Sequence, residues 1–145
     1  KINNLIEKEH TDEFSVGRIR NDLQESMEEN AKIFRSEETL SKQTDILENL
    51  RERYENVTIF DKGKVFNTEL MEAIELDYLL DMSESTVASA LARKESRGAH
   101  SRQDFPDRDD GNFMKHSFAF KNGNSANLRY KDVELGKYEP MERKY

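Results

Sequence analysis

The sequence has no cysteine and no tryptophan, only two prolines and six glycines, and no long apolar run in its 145 residues. Without cysteine, the chain forms no disulfide and supplies no thiolate nucleophile or thiolate ligand for zinc or an iron–sulfur cluster. Because no apolar run approaches 18 residues, no membrane-spanning helix is predicted. The glycines are scattered and form no Gly-x-Gly-x-x-Gly pattern after a strand, so no dinucleotide-binding fingerprint is present.

Charged side chains are abundant. They make up 37% of the residues and give a formal net charge of −7. Together with a mean hydropathy of −0.97, this composition favours helices with solvated faces. An acidic chain offers no extended basic surface to phosphates, which argues against nucleic acid as a partner. The length predicts a single domain over residues 1–145, with enough apolar residues for a modest core.

Apolar residues recur every three to four positions over three long segments, which predicts amphipathic helices. The predicted helices cover residues 16–35, 37–55 and 68–97. Each follows residues that suit an N-cap, namely Ser15, Ser36, and Asn67 or Thr68. Short connections predict that neighbouring helices are antiparallel. The fold class is therefore mainly α: a spectrin-repeat-like three-helix bundle, with a small C-terminal β-hairpin and an extended tail.

The two ends of the chain add smaller elements. Ile2, Leu5 and Ile6 have the spacing of the last turns of a helix that begins upstream, so we expect a domain cut from a longer chain. Alternation around Phe118 predicts a strand, and Asn122-Gly123 is a strong hairpin signal. The later segments are predicted as a central loop at 98–114, a hairpin at about 115–131 and a tail at 132–145. Leu128 and Tyr130 are expected to supply the apolar face of the returning strand.

The stretch from Ala92 to Asp110 carries a charge dipole. Four cations stand against one carboxylate in its first half, and four aspartates stand against one arginine in its second half. Gly98 suits the C′ position of the third helix because glycine enters the left-handed region without steric cost. Arg93, Lys94 and Arg97 would then lie in the last turn, at the negative end of the helix dipole.

No catalytic or metal site is predicted. Ser96 lacks a Gly-x-Ser-x-Gly elbow and is expected to bond local backbone. His100, Asp104 and His116 lack a recognised metal-ligand spacing, and the third histidine, His10, is remote in sequence. The acidic run beginning at Asp107 lacks the alternation of a calcium loop.

The loop arginines have two interpretations. Arg93, Arg97 and Arg102 could clamp a dicarboxylate, since guanidinium groups match carboxylates bidentately. Pairing with Glu95, Asp104 and the other nearby aspartates is the favoured interpretation.

The segment ESRGAHSRQDFPDRDDGNFMKH, residues 95–116, resembles the C-terminal helical domain of the flavoprotein subunit of succinate dehydrogenase and fumarate reductase. Three further segments agree in order: GRIRNDLQESMEENAKIFR at 17–35, FNTELMEAIEL at 66–76 and EPMERKY at 139–145. The step Asp104-Phe105-Pro106 favours the succinate dehydrogenase branch. L-aspartate oxidase shares an ESRG-like segment and is the alternative within this family.

The resemblance implies a longer parent protein that binds FAD, oxidises succinate to fumarate and passes electrons to an iron–sulfur subunit and quinone. It implies a location at the inner face of the cell membrane, through a membrane anchor of the parent complex. The fragment itself is expected to hold no cofactor, metal or catalytic residue and to pack on the FAD-binding domain. The residues expected to shape that contact are Arg93, Glu95, Ser96, Arg97, Gly98, His100, Arg102 and Asp104. Loss of the partner surface should cause weak self-association of the isolated domain.

A free-standing helical adaptor is the alternative from a different class. Its support is the run of small residues in the second half of the third helix, which would let another surface approach, and the charge dipole of the loop. It predicts a natural chain that starts near Lys1.

Overall fold

The body of the chain is three long helices, which confirms the mainly α class. A computed structural model describes residues 2–9, 11, 14–123 and 125–141. The helices are α1 (Ile2–Glu7), α2 (Val16–Ala31), α3 (Glu37–Glu55), α4 (Thr68–Ala92) and α5 (Asp110–Phe113). The strands are β1 (Phe34–Arg35), β2 (Ser101–Arg102), β3 (Lys115–Asn122) and β4 (Ser125–Asp132). α2, α3 and α4 pack on one another in the bundle, and the β3–β4 hairpin packs on α4.

Side-chain caps begin two of the long helices. Ser36 forms a capping box with Thr39 at the start of α3. The Asn67 side chain accepts a hydrogen bond from the Leu70 N–H at the start of α4. Ser15 precedes α2 in an extended conformation, but its side chain makes no capping bond. Two of the three predicted caps therefore act through their side chains.

Leucine and isoleucine side chains from all three long helices form the core. Ile19, Leu40 and Leu76 are fully buried. The segment after α3 also contributes, since Ile59 is fully buried and Thr58 pairs with Ser15 in an isolated parallel bridge. The segment after α3 therefore packs into the core and is joined by its backbone to the start of α2.

The first long helix ends at Ala31, before its predicted end at residue 35. Phe34 and Arg35 instead form β1, which pairs in parallel with Ser101 and Arg102 of β2. The Arg35 carbonyl accepts a hydrogen bond from the Gln103 N–H at 2.7 Å. This pairing satisfies backbone groups that a continued helix would have bonded locally, so a contact distant in sequence overrides the helical pattern.

The third long helix ends at Ala92, so its predicted end at 97 is wrong. Arg93 is extended, with φ −89° and ψ 96°. The final carbonyls of α4 are bonded by a side chain from the loop, since Arg102 Nη1 donates to Ala90 at 3.0 Å and Leu91 at 3.1 Å. No basic residue lies in the last turn of α4. A distant arginine thus replaces the expected glycine cap.

Gly98 has the predicted left-handed backbone, with φ +60°, but it does not end a helix. It lies in a tight turn between Arg97 and His100, whose backbone N–H and C=O groups bond each other at 2.8 and 3.0 Å. The turn needs a positive φ, which glycine supplies without steric cost. The conformation was therefore predicted correctly, and the C′ role was wrong.

The hairpin extends one residue beyond its predicted end. Phe118 pairs with Arg129 and Ala119 with Leu128. Because cross-strand partners share a face of the sheet, Leu128 and Tyr130 lie together on one face of the returning strand, and this face is opposite Phe118. Lys121 forms an ion pair with Asp81 of α4. The described tail, residues 133–141, has no regular structure, and 142–145 lie outside the described residues.

Candidate functional site

Glu95 is the centre of the first ion-pair network in the loop after α4. Its side chain is fully buried and accepts hydrogen bonds from Arg93 Nη1 at 2.6 Å, Arg97 Nε at 2.8 Å and the Asp109 N–H at 2.8 Å. Burial raises the pKa of Glu95, but these hydrogen bonds outweigh it and hold the pKa below its ordinary value. Glu95 is therefore a buried carboxylate that fixes both arginines in the loop.

Arg102 is the centre of the second network and is also fully buried. Its Nε and Nη2 each donate to the Asp104 carboxylate at 2.7 Å, and Nη2 donates to Glu37 at 2.9 Å. The hydrogen bond with Asp104 is the main reason that the pKa of Arg102 is raised. The same pairing lowers the pKa of Asp104 far below its ordinary value. Arg102 joins the loop to the start of α3 and the end of α4.

Arg93 and Ser96 attach the loop to its surroundings. Arg93 Nη1 donates to the Phe113 carbonyl at 2.9 Å, and its Nη2 donates to the Lys115 carbonyl at 2.7 Å. Ser96 Oγ donates to the Phe105 carbonyl at 2.8 Å and accepts from the Arg102 N–H at 2.8 Å. The expectation that Ser96 bonds local backbone is confirmed, as is the pairing of loop arginines with neighbouring carboxylates.

The eight residues predicted for domain docking thus divide into two groups. Glu95 and Arg102 are fully buried, so within this domain they position the loop. The other six are accessible to differing degrees: Arg93, Ser96, Arg97, Gly98, His100 and Asp104. The structure brings three of these, Arg93, Arg97 and His100, to the wall of one open cavity.

This cavity has a volume of about 740 Å³ and lies between α4, the loop and the hairpin. Its lining includes six basic side chains: Arg35, Arg93, Arg97, His100, Lys115 and His116. Hydroxyl groups of α4 and β3 and several apolar side chains complete the wall. No Asp or Glu is among the described residues that line it. In a chain of net charge −7, this is a localised basic site.

Arg35 and His100 form a directed pair at the cavity wall. Arg35 Nη1 lies 3.0 Å from His100 Nδ1, and His100 Nε2 lies 3.1 Å from the Arg93 carbonyl. A guanidinium only donates and a carbonyl only accepts, so the imidazole is neutral and carries its proton on Nε2. Burial, with the charges of Arg35, Arg102 and Arg93, lowers the pKa of His100. Burial also lowers the pKa of Arg35.

One face of α4 leads into this cavity. Met71, Tyr78 and Met82 are each more than 60% exposed, at 61%, 63% and 66%. Their spacing places them on one side of the helix, and Ser85 and Ser89 continue that side into the cavity wall. The small residues of the second half of α4 are therefore only partly core, because some of them line an accessible surface.

A third ion-pair cluster fixes α3 to α4. Arg51 has a side chain only 5% exposed and donates to Asp77, Asp81 and Glu84 at 2.8, 2.6 and 2.8 Å. Burial alone would lower the pKa of Arg51, but the hydrogen bonds and charges of Glu84 and Asp81 outweigh it and raise the pKa. The carboxylates recur at steps of four and three, which is the signal in the sequence for a shared helix face.

Sequence reasoning missed Arg35 and Lys115 as parts of the cavity, because each is separated from the loop arginines along the chain and only folding brings them to the same wall. Among the described residues, no three His, Asp or Glu side chains are grouped to hold a metal ion. His10 lies outside those residues. None of the described helices has the length and apolar character needed to cross a membrane.

The fold and its site define a class: a helical-bundle domain whose ion-paired loop borders an open basic cavity. Solved structures share this fold. The chain superposes on a chain of Escherichia coli quinol fumarate reductase with a TM-score of 0.89 and 38% identity, over 97% of this chain and 24% of that one. A weaker likeness, at 21% identity and a TM-score of 0.72, to an adenosine-5-phosphosulfate reductase concerns the fold alone.

The chain belongs to the family described as fumarate reductase flavoprotein C-term, whose model matches residues 20–145. It is 41% identical over 132 residues to the fumarate reductase flavoprotein subunit of Haemophilus influenzae, covering 90% of this chain and 22% of that protein. It is 42% identical over 121 residues to the succinate dehydrogenase flavoprotein subunit of Rickettsia felis, covering 83% of this chain and 20% of that protein. The chain thus spans about a fifth of the length of these relatives, and the resemblance noted in the loop motif is confirmed.

Proposed function

We propose that the chain is the C-terminal domain of a longer, FAD-dependent flavoprotein that interconverts succinate and fumarate. The observation that carries this proposal is the family match over residues 20–145, with relatives about five times longer that are named for these two reactions. The domain contributes structure to the parent enzyme, and the groups that bind and oxidise the dicarboxylate lie in the preceding part of the polypeptide.

The flavin is assigned to that preceding part because the described residues do not suit a dinucleotide. A dinucleotide site of the Rossmann type needs a strand, a glycine-rich turn and a helix in succession. The parallel pairing between named strands here, β1 with β2, is two residues long and is followed by no such turn. In this proposal, residues of this domain take no direct part in the reaction.

The role of the domain is to pack on the flavin-binding part through the outer side of the loop. Arg93, Arg97 and His100 are held in place by bonds within the domain, so they present a preformed surface. Glu95 and Arg102 act beneath that surface as positioning residues. Through the parent, the partners are an iron–sulfur subunit and a membrane anchor, at the inner face of the cell membrane.

The test is the mass and visible absorption spectrum of the native polypeptide that contains this sequence, measured after removal of free small molecules. We expect a chain several times heavier than 17.0 kDa that retains flavin absorbance and oxidises succinate or reduces fumarate with an artificial electron carrier. Residues 1–145 expressed alone should be colourless and inactive. A colourless native chain of about this mass would refute the proposal, and so would tight FAD binding by residues 1–145.

A further inference from the structure

Arg35 and Lys115 are the cations of the basic cavity that have no carboxylate partner within the described part of the chain. Arg93 and Arg97 are neutralised from behind by Glu95, and Arg97 also pairs with Asp110 at 2.6 Å. Arg35 instead bonds the Ala31 carbonyl through Nε and His100 through Nη1. The cavity wall therefore carries an excess positive charge of about two, and Arg35 and Lys115 are its source.

The geometry of Arg35 suits it to recognise an anion. Its Nε and Nη1 are committed to a carbonyl and to the neutral His100, which leaves Nη2 without a hydrogen bond among the described residues. Both neighbours are uncharged acceptors, so they orient the guanidinium and do not cancel its charge. Lys115 stacks on aromatic rings, with Nζ 4.6 Å from the Tyr130 centroid and 5.4 Å from that of Phe113. Neither contact replaces an anionic partner.

The surroundings of the cavity indicate what kind of partner covers it. The exposed apolar side of α4, formed by Met71, Tyr78 and Met82, runs directly into the cavity wall at Ser85. A free anion would occupy the cavity but leave this apolar side in water, whereas a protein surface would cover both. About four-fifths of the relative's length lies outside the region that this chain matches, so its polypeptide is long enough to supply such a surface.

We propose that the cavity receives an aspartate or glutamate side chain from the preceding, flavin-binding part of the same polypeptide, and that Arg35 and Lys115 bind its carboxylate. This inference rests on the proposed function, because it requires the longer parent chain. Charge complementarity supplies specificity of docking: an acidic side chain would offset about half of the excess charge and pair with Arg35, while a basic or apolar one would leave Arg35 unpaired in a half-buried site.

The test is zero-length cross-linking of the full, flavin-loaded polypeptide with a carbodiimide, which joins lysine amines to carboxylates in direct ion-pair contact. Two proteins are compared: the native sequence, with Lys115, and the variant Arg35→Lys, which places a reactive amine at the recognition position. Proteolysis and mass spectrometry then identify the linked peptides. Lys42 and Glu29, 3.1 Å apart on the bundle surface, are an internal positive control.

The matched control variant is Arg53→Lys, since Arg53 pairs with Asp22 inside the domain at 2.7 Å. We expect residue 53 to link to Asp22, and residues 35 and 115 to link to a carboxylate that precedes Lys1 in the polypeptide. Arg35→Met should reduce the yield of the Lys115 link about tenfold, the factor expected from loss of a charge-assisted hydrogen bond.

The proposal is overturned if the Lys42–Glu29 link forms but neither Lys115 nor the lysine at 35 links to the preceding part. Links to a carboxylate of this domain, of a second copy or of another subunit also overturn it. Protection of Lys115 from acetylation by inorganic phosphate, without the expected link, would assign the cavity to a free anion. In each case, flavin bound to the full polypeptide shows whether the proposed function still stands.

Discussion

Removal of the Arg102 guanidinium should destabilise the domain more than loss of any exposed ion pair. In Arg102→Met, the aliphatic stem is kept and the charge is lost. Two bonds to Asp104, one to Glu37 and two to the last carbonyls of α4 disappear. Breaking a buried ion pair costs about 3 to 5 kcal/mol.

The lower end of that range applies here. The Glu37 side chain is 52% exposed and that of Asp104 is 29% exposed, so both carboxylates regain water in the variant. The carbonyl of Ala90, a residue only 7% exposed, has less access to solvent. We therefore expect a loss of about 3 kcal/mol in the free energy of unfolding, a large share of the roughly 5 to 15 kcal/mol typical of a domain.

The assay is urea unfolding of the chain followed by far-ultraviolet circular dichroism. Arg53→Met is the control, since the same substitution there removes one partly exposed pair with Asp22 and should cost about 1 kcal/mol or less. If the free energy of unfolding of Arg102→Met lies within about 1 kcal/mol of that of the native chain, the argument that a buried arginine terminates α4 and holds the loop is wrong.

Three further predictions concern other features of the domain. Because the pKa of His100 is lowered in the folded chain, the unfolded chain binds more protons below about pH 6.5, and stability is lost as the pH falls from that value through the lower pKa of the folded state. His100→Gln should reduce the change in the urea midpoint between about pH 7.5 and about pH 5.5, and an unaltered change would refute this origin. Gly98→Ala should destabilise by about 1 kcal/mol through its positive φ alone, since an added Cβ meets nothing within 4 Å. Gly17→Ala, in the first turn of α2 and equally uncrowded, should instead stabilise by about 0.5 kcal/mol, and equal effects of the two variants would contradict the assignment. The isolated chain should self-associate weakly through the exposed side of α4, and Tyr78→Lys or Met82→Lys should suppress this in sedimentation experiments; a clean monomer at high concentration would count against it.

Features that depend on neighbours in sequence were predictable. The helical spacing of Ile19 and Leu23, the capping box at Ser36 and the hairpin turn at Gly123 act over a few residues, where propensity and hydrogen bonding compete locally. The pairing of Arg102 with Asp104 is of the same kind, because the two residues are only two positions apart.

Features that depend on contacts between residues far apart in the sequence were not predictable. The ends of α2 and α4 were placed too late because β1 pairs with β2 and because Arg102 bonds the last carbonyls of α4. The pairing of Phe118 with Arg129 could not be predicted because the turn length sets the register, and a shift of one residue moves a side chain to the other face.

The sequence by itself determined the helical class, the loop motif and, through that motif, the family. Only the tertiary structure decided which loop residues are buried supports and which line the cavity, and that Arg35 joins them from 65 positions away in the chain. The physical reason is that burial and charge balance are sums over everything within a few ångströms, whereas a sequence pattern reports only what is close along the chain.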